Sequence, residues 1–226
     1  MQLEAITWQR MAERLAGHLD DPGTTAEPAG TTGTTAPEQG GWRRVGIDGA
    51  PAAGTGVLAE HLADVLRLRG RPVLVVAAEG FLRPASLRFE FGREDVDSYL
   101  GGWYDTAALW REVFGPTDPG GTGRVLPDLW DPVSDRATRS PYTALPPGGV
   151  LVVHGPLLLG HWFPFDLSVH IRLSPGALAR RTEESARWTL PAFARYEADT
   201  DPASAADAVV RADDPRHPAW TGIRAR

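Results

Sequence analysis

The stretch Arg43-Arg44-Val45-Gly46-Ile47-Asp48-Gly49-Ala50-Pro51-Ala52-Ala53-Gly54-Thr55-Gly56 decides the architecture. Its first six residues read as a short strand and the rest as a glycine-rich turn. Val57–Leu68 follows with helical spacing at Leu58, Leu62, Val65 and Leu66. Gly-x-x-x-x-Gly between a strand and a helix is the spacing of a Walker A loop. Such glycines let backbone N–H groups converge on an anion, and the helix adds the positive end of its dipole. Gly49, Ala52, Ala53, Gly54, Thr55 and Gly56 are therefore candidate phosphate-binding residues. A Walker A loop continues with Lys and then Ser or Thr. This chain has Thr55 and Gly56, which supply neither the cation nor the Mg²⁺-binding hydroxyl. A plain turn joining strand to helix shares the same spacing.

Outward from the loop, apolar runs and helical patterns alternate. Pro72–Ala78 is a second strand, Gly149–Val153 a third, Ser168–Leu173 a fourth and Asp207–Ala212 a last short one. Helical patterns cover 95–114, with a break at Gly101-Gly102, then Pro175–Arg187 and Pro191–Asp199, and 115–147 reads as loops with room for a hairpin. The alternation predicts an α/β fold with a parallel sheet flanked by helices, ligands sitting at the carboxyl ends of the strands. Residues 4–19 read as an amphipathic helix with Ile6, Met11 and Leu15 on one side. Residues 21–41 hold no apolar side chain larger than alanine and read as a disordered linker. The expected division is thus 1–20, an N-terminal helix; 21–41, a low-complexity linker; and 42–226, the folded domain.

Composition bounds the chemistry. The chain has 226 residues, 42% hydrophobic and 23% charged, values ordinary for a globular domain. It contains no cysteine, which excludes disulfides and thiolate metal sites. All 23 basic residues are arginine, so no lysine ammonium can serve any site. The formal charge of −6 argues against a nucleic-acid partner. No apolar run is long enough to span a bilayer, and no signal peptide is visible, so a cytoplasmic location is expected. A homo-oligomer is compatible with all of this.

Several segments together resemble the uridine kinase family of P-loop kinases, over roughly Arg43 to Pro218. Ala77-Ala78-Glu79-Gly80-Phe81-Leu82-Arg83-Pro84 is similar to the family's Ser-x-Asp-x-Phe-Tyr-(Arg/Lys)-Pro. Asp97, Tyr99 and Asp105 fall in a stretch like its nucleoside-contacting helix. Leu129-Trp130-Asp131-Pro132-Val133-Ser134-Asp135-Arg136 resembles the hairpin that closes over the base. Val150-Leu151-Val152-Val153-His154-Gly155 looks like its Val-x-x-x-Glu-Gly strand. Leu178-Ala179-Arg180-Arg181 resembles the start of an arginine-rich lid, and Ala206 to Pro218 the closing strand and loop beside the adenine. The resemblance implies a P-loop NTPase-type sheet with a small hairpin insertion and a lid helix. It also implies transfer of the γ-phosphoryl of ATP or GTP, with Mg²⁺ if active, to a nucleoside 5′-hydroxyl or similar small molecule. By it Glu79 is the catalytic base. Arg180 and Arg181 join the phosphate site, and Arg83, Asp105, Trp130, Asp131 and Arg136 the acceptor site. Asp214 and Pro215 lie on the adenine side, and no residue is assigned to a metal.

The departures open an alternative. Thr55 replaces the lysine, Gly56 the hydroxyl and His154 the strand carboxylate, which points to a catalytically lapsed protein binding a nucleotide or phosphorylated metabolite as a regulatory module. A transferase that kept the anion loop but works without Mg²⁺–ATP is a third reading. Asp48 is a candidate to hold a metal from another direction. His154, His161, His170 and His217 read as histidines satisfied by local hydrogen bonds, and of Trp103, Trp130 and Trp162 only Trp130 is taken as a base-stacking candidate.

Overall fold

The computed structural model describes residues 3–21 and 41–224. Its elements run β1 (Glu4–Ala5), α1 (Trp8–Asp20), β2 (Arg43–Asp48), α2 (Thr55–Leu68), β3 (Val73–Ala77), α3 (Ala85–Arg88), α4 (Val96–Gly102), α5 (Thr106–Leu109), β4 (Arg124–Val125), β5 (Trp130–Asp131), β6 (Arg136–Ala137), β7 (Thr143–Ala144), β8 (Val150–Gly155), β9 (Leu167–Arg172), α6 (Pro175–Arg181), α7 (Leu190–Thr200), α8 (Pro202–Ala205), β10 (Ala208–Arg211) and β11 (Ala219–Trp220).

The central sheet has the order β1-β11-β10-β9-β2-β8-β3. From β3 to β10 all neighbours are parallel, as near-continuous apolar runs dictate, and β11 and β1 extend the edge antiparallel. Register aligns Asp48 with Gly155 and His170, and Ala77 with His154. The carboxyl ends of four strands therefore meet around the loop after β2.

Each face is covered by its own core. On one, Met11, Leu15, Leu58, Leu62 and Leu66 pack on Val45, Ile47, Val152 and Val169. On the other, Phe81, Leu109, Val113 and Phe114 pack on Val76, Leu151 and Val153. Each fully buried large side chain contributes about 1.5–3 kcal/mol. These faces hold β2, β3 and β8 rigid beneath the loop.

The N-terminal helix starts later than its apolar pattern suggests. Thr7 Oγ1 accepts from the Arg10 N–H at 3.2 Å, and this cap fixes the helix start at Trp8. Glu4–Ala5 instead pairs with Ala219–Trp220 as a strand. The helix packs on α2 through Met11, Ala12, Leu15, Ala16 and Leu19. The expected linker lies, but for its end residues, outside the described residues. The predicted hairpin forms as β5–β6. The lid helix ends at Arg181 and continues after a break as a 3₁₀ turn over Glu184–Thr189. No described helix is long and apolar enough to cross a membrane.

Candidate functional site

The loop is built by local backbone chemistry. A Cβ at Gly49 would lie 2.7 Å from the Ile171 carbonyl oxygen, so only glycine fits where the chain leaves the sheet. Pro51–Ala53 makes one 3₁₀ turn, closed by the Ala53 N–H donating to the Ala50 carbonyl at 2.7 Å. Gly54 then takes φ 84, ψ 34, a left-handed conformation costly for any other residue, and α2 starts at Thr55. The Val57 and Leu58 N–H groups of that 14-residue helix donate to the Gly54 carbonyl, while those of Thr55 and Gly56 have no intrahelical acceptor and lie at the positive end of its dipole. Pro51 is exposed and does not plug the loop.

Beside this turn stands His154. Its Nδ1 lies 3.3 Å from Thr55 Oγ1, and a Cβ at Gly56 would meet its Cε1 at 3.3 Å. Burial holds the imidazole below its ordinary pKa, with Glu60 pulling weakly the other way, so the ring is neutral near pH 7.

Asp48, directly before the loop, is fully buried and committed elsewhere. Its Oδ1 accepts from the Leu158 N–H at 2.8 Å and the Tyr196 hydroxyl at 3.1 Å. Its Oδ2 pairs with His170 Nδ1 at 2.7 Å, and His170 Nε2 reaches Glu197 Oε1 at 3.0 Å. Burial depresses the His170 pKa, but hydrogen bonds and charge from Asp48 and Glu197 outweigh it and push it up to about 9. Burial and the Asp48 charge raise the Tyr196 phenol far above its usual value. Asp48 therefore accepts three hydrogen bonds within the buried interior, and the reading of it as a metal holder is set aside.

Glu79 lies in the 3₁₀ turn after β3. Its Oε2 is buried without a hydrogen-bond partner among the described residues, and burial raises its pKa. The same oxygen sits 3.2 Å from where a Cβ on Gly155 would be, which fixes it at the carboxyl end of β8. The nearby phenols of Tyr99 and Tyr104 are raised first by burial and further by the Glu79 charge.

Between the loop and the lid is a cavity of about 490 Å³. Pro51 and Ala52 line it from the loop, Tyr99 and Trp103 from α4 and its end, and Phe193 from α7; the lid adds Arg181, Thr182, Glu183, Ser185, Ala186, Trp188 and Thr189. Tyr99 packs edge to face on Trp103, Trp188 and Phe193, making one aromatic wall. Trp103 Nε1 is buried with no acceptor among the described residues, and the Arg88 guanidinium stacks 5.1 Å from its ring.

Of the residues singled out in the sequence, the structure brings Ala52, Tyr99, Trp103 and Arg181 to this cavity; Gly49, Ala53, Gly54, Thr55 and Gly56 form the loop beside it, and Glu79 is not among the lining residues. Arg181 is steadied by donating to the Ala212 carbonyl at 2.8 Å, while Arg180 is exposed. Arg83 lines a separate depression with Leu87, Phe91 and Asp95 that shares no residue with the cavity. Asp105 caps α5 through the Ala108 N–H at 2.9 Å. Asp131 closes the hairpin turn by accepting from Val133 N–H and the Ser134 hydroxyl, Trp130 Nε1 donates to Asp135 at 3.0 Å, and Arg136 is exposed. Asp214 is bonded to His217 at 2.8 Å, and the Pro215 carbonyl accepts from Trp8 Nε1 at 2.9 Å. The tryptophans at the cavity are Trp103 and Trp188, whereas Trp162 is 91% exposed. Trp188 and Phe193 escaped sequence reading because their apolar spacing is that of any core helix, and only the fold of the lid turns them toward the loop.

No protein-family model matches the chain, and no curated protein matches it in sequence. Solved structures share its fold. A possible uridine kinase from Bacillus stearothermophilus superposes with a TM-score of 0.64 at 20% identity, covering 89% of this chain and 97% of that one. A candidate fructose transport system kinase from Silicibacter sp. TM1040 gives 0.59 at 21% identity, with 89% and 95% covered. D-glycerate 3-kinase from Cryptococcus neoformans gives 0.50 at 14% identity, with 86% and 80% covered. The chain therefore shares the α/β fold of these kinase structures, a mostly parallel sheet flanked by helices.

In the loop the Gly49 N–H donates to the Gly155 carbonyl at 3.2 Å and the Ala53 N–H to the Ala50 carbonyl at 2.7 Å, which leaves the amides of Ala52, Gly54, Thr55 and Gly56 as the candidates for a phosphate group. The side chains do not fit a protein-held Mg²⁺. Gly56 has no hydroxyl, His154 is a nitrogen donor, Asp48 is consumed by His170, Tyr196 and Leu158, and no metal-holding group of three His, Asp or Glu exists among the described residues.

Proposed function

We propose that the protein is a kinase-like phosphotransferase that moves a phosphoryl group from a nucleoside triphosphate to a hydroxyl of a small molecule. The observation that carries this is Glu79. A carboxylate oxygen buried without a partner is costly unless the site uses it, and burial brings its basicity closer to neutrality. It stands at the strand ends beside an anion-binding loop, where the general base of such a transfer belongs.

In this reading the loop amides and the α2 dipole hold the donor phosphates, and Arg181 faces the same cavity from the lid. The acceptor lies against Tyr99, Trp103 and Trp188. Glu79 takes the acceptor hydroxyl proton while the new P–O bond forms and the nucleoside diphosphate leaves. Uridine and cytidine are the first acceptors to test, because the structure of the possible uridine kinase covers nearly the whole fold; sugars and glycerate follow. The test is transfer of label from γ-³²P ATP or GTP to each acceptor. Labelled product from one of them supports the proposal, and none with any acceptor sinks it.

One observation favours a second reading, a binding protein whose chemistry has lapsed. His154 and Thr55 face each other where kinases of this fold place charged or metal-binding groups. Saturable nucleotide binding without label transfer selects it.

A further inference from the structure

We infer that the phosphate-binding loop takes its phosphate ligand without a divalent cation, with His154 standing in the space that a metal-holding set would need. The inference rests on the reading of the loop as a phosphate seat and specifies how that seat works.

Two independent features lead to it. The first is the donor inventory. Mg²⁺ demands near-octahedral oxygen coordination, and the side chains around the first turn of α2 offer few oxygens for it; the unpartnered Glu79 Oε2, buried against Gly155, is the base of the proposed transfer. Gly56 offers none. Thr55 Oγ1 is 3.3 Å from His154 Nδ1. Both oxygens of Asp48 are held within the Leu158, Tyr196 and His170 network. The second is steric. The Cβ of any residue other than glycine at position 56 would start 3.3 Å from His154 Cε1 and within 3.9 Å of its Nε2. The imidazole thus fills the space in which a hydroxyl at 56 would have to grow, and the two substitutions fit each other.

The pair also has a positive role. With Thr55 Oγ1–H donating to Nδ1, the neutral tautomer of His154 carries its proton on Nε2. That N–H is then available to donate to a phosphate oxygen at the loop. Neutral donors replace both the cation of the side chain and that of the metal. A nucleotide whose phosphates are already wrapped around Mg²⁺ offers fewer free oxygens to such donors, so the free anion is the better ligand.

Isothermal titration of the full chain with ATP, GTP and inorganic phosphate, in EDTA and in millimolar MgCl₂, tests this. The expected result is binding in EDTA that is equal to or tighter than in Mg²⁺. His154→Ala should weaken the EDTA value by about tenfold, the scale of one hydrogen bond to a charged group. His154→Gln, which retains a donor, should recover part of the loss and guards against a folding defect in the alanine variant. Binding that strengthens about tenfold or more on adding Mg²⁺ overturns the inference and leaves the phosphate seat standing. No binding of any probe in either buffer overturns the seat itself, and the inference with it.

Discussion

His170 gives the sharpest test of how the loop is anchored. The imidazole is 2% exposed and sits between Asp48 and Glu197, with its pKa pushed up to about 9 from 6.5. A group whose folded pKa is raised stabilises the fold fully below its unfolded value and loses that contribution as pH rises through the folded one. The window therefore runs from about 6.5 to about 9, and across it the linked stability lost is about 3 kcal/mol, at no more than about 1.4 kcal/mol per pH unit. Urea denaturation followed by fluorescence of the 8 tryptophans, repeated from pH 6 to pH 10, measures it. The quantity to compare is wild type minus His170→Gln, because other groups titrate in both proteins alike. That difference should be largest at pH 6 and fall by about 3 kcal/mol by pH 9 to 10. A difference that stays constant with pH would refute the ionised Asp48–His170–Glu197 arrangement.

Other variants probe neighbouring parts. Glu79→Gln should lower the rate of phosphoryl transfer by about 10²- to 10⁴-fold while nucleotide affinity in titration is unchanged; equal loss of both would assign Glu79 to binding. Asp48→Asn removes one partner from a buried ion pair and should cost about 3–5 kcal/mol in urea denaturation at pH 7, with the deficit shrinking above pH 9 as His170 discharges. Gly54→Ala forces a Cβ into the left-handed region and should cost roughly 1–2 kcal/mol of stability and weaken phosphate binding, whereas Ala52→Gly at the same loop should leave binding within about twofold.

Much of the sheet was legible in the sequence. Val150–Val153 and Leu74–Val76 are apolar without alternation, which only strands buried on both faces require. The loop was legible because Gly49 and Gly54 each answer a backbone need. The edge strands were not. Glu4–Ala5 and Ala219–Trp220 are two residues each, too short to show a period, and they exist through pairing with one another. The site was read unevenly for a similar reason. Glu79 is reached through the resemblance of its segment to a kinase motif, but an aromatic such as Trp188 shows its place only once the lid folds over the loop. Asp131 and Asp105 hold a turn and a helix cap, local roles that their sequence context does not distinguish from a substrate contact. The pairing of Asp48 with His170 was hidden by a separation of 122 residues.

The embrace between the N-terminal segment and the rest has a practical consequence. Helix α1 buries five side chains, Asp20 bridges to Arg69 and Arg71, and Glu4–Ala5 completes the sheet edge, so this segment is held by contacts that do not depend on the covalent path through 22–40. Expressed as two polypeptides divided within that path, the halves should recognise each other and regain the fold at sufficient concentration, making the protein a template for a split reporter whose reassembly is set by mass action rather than by chain connectivity.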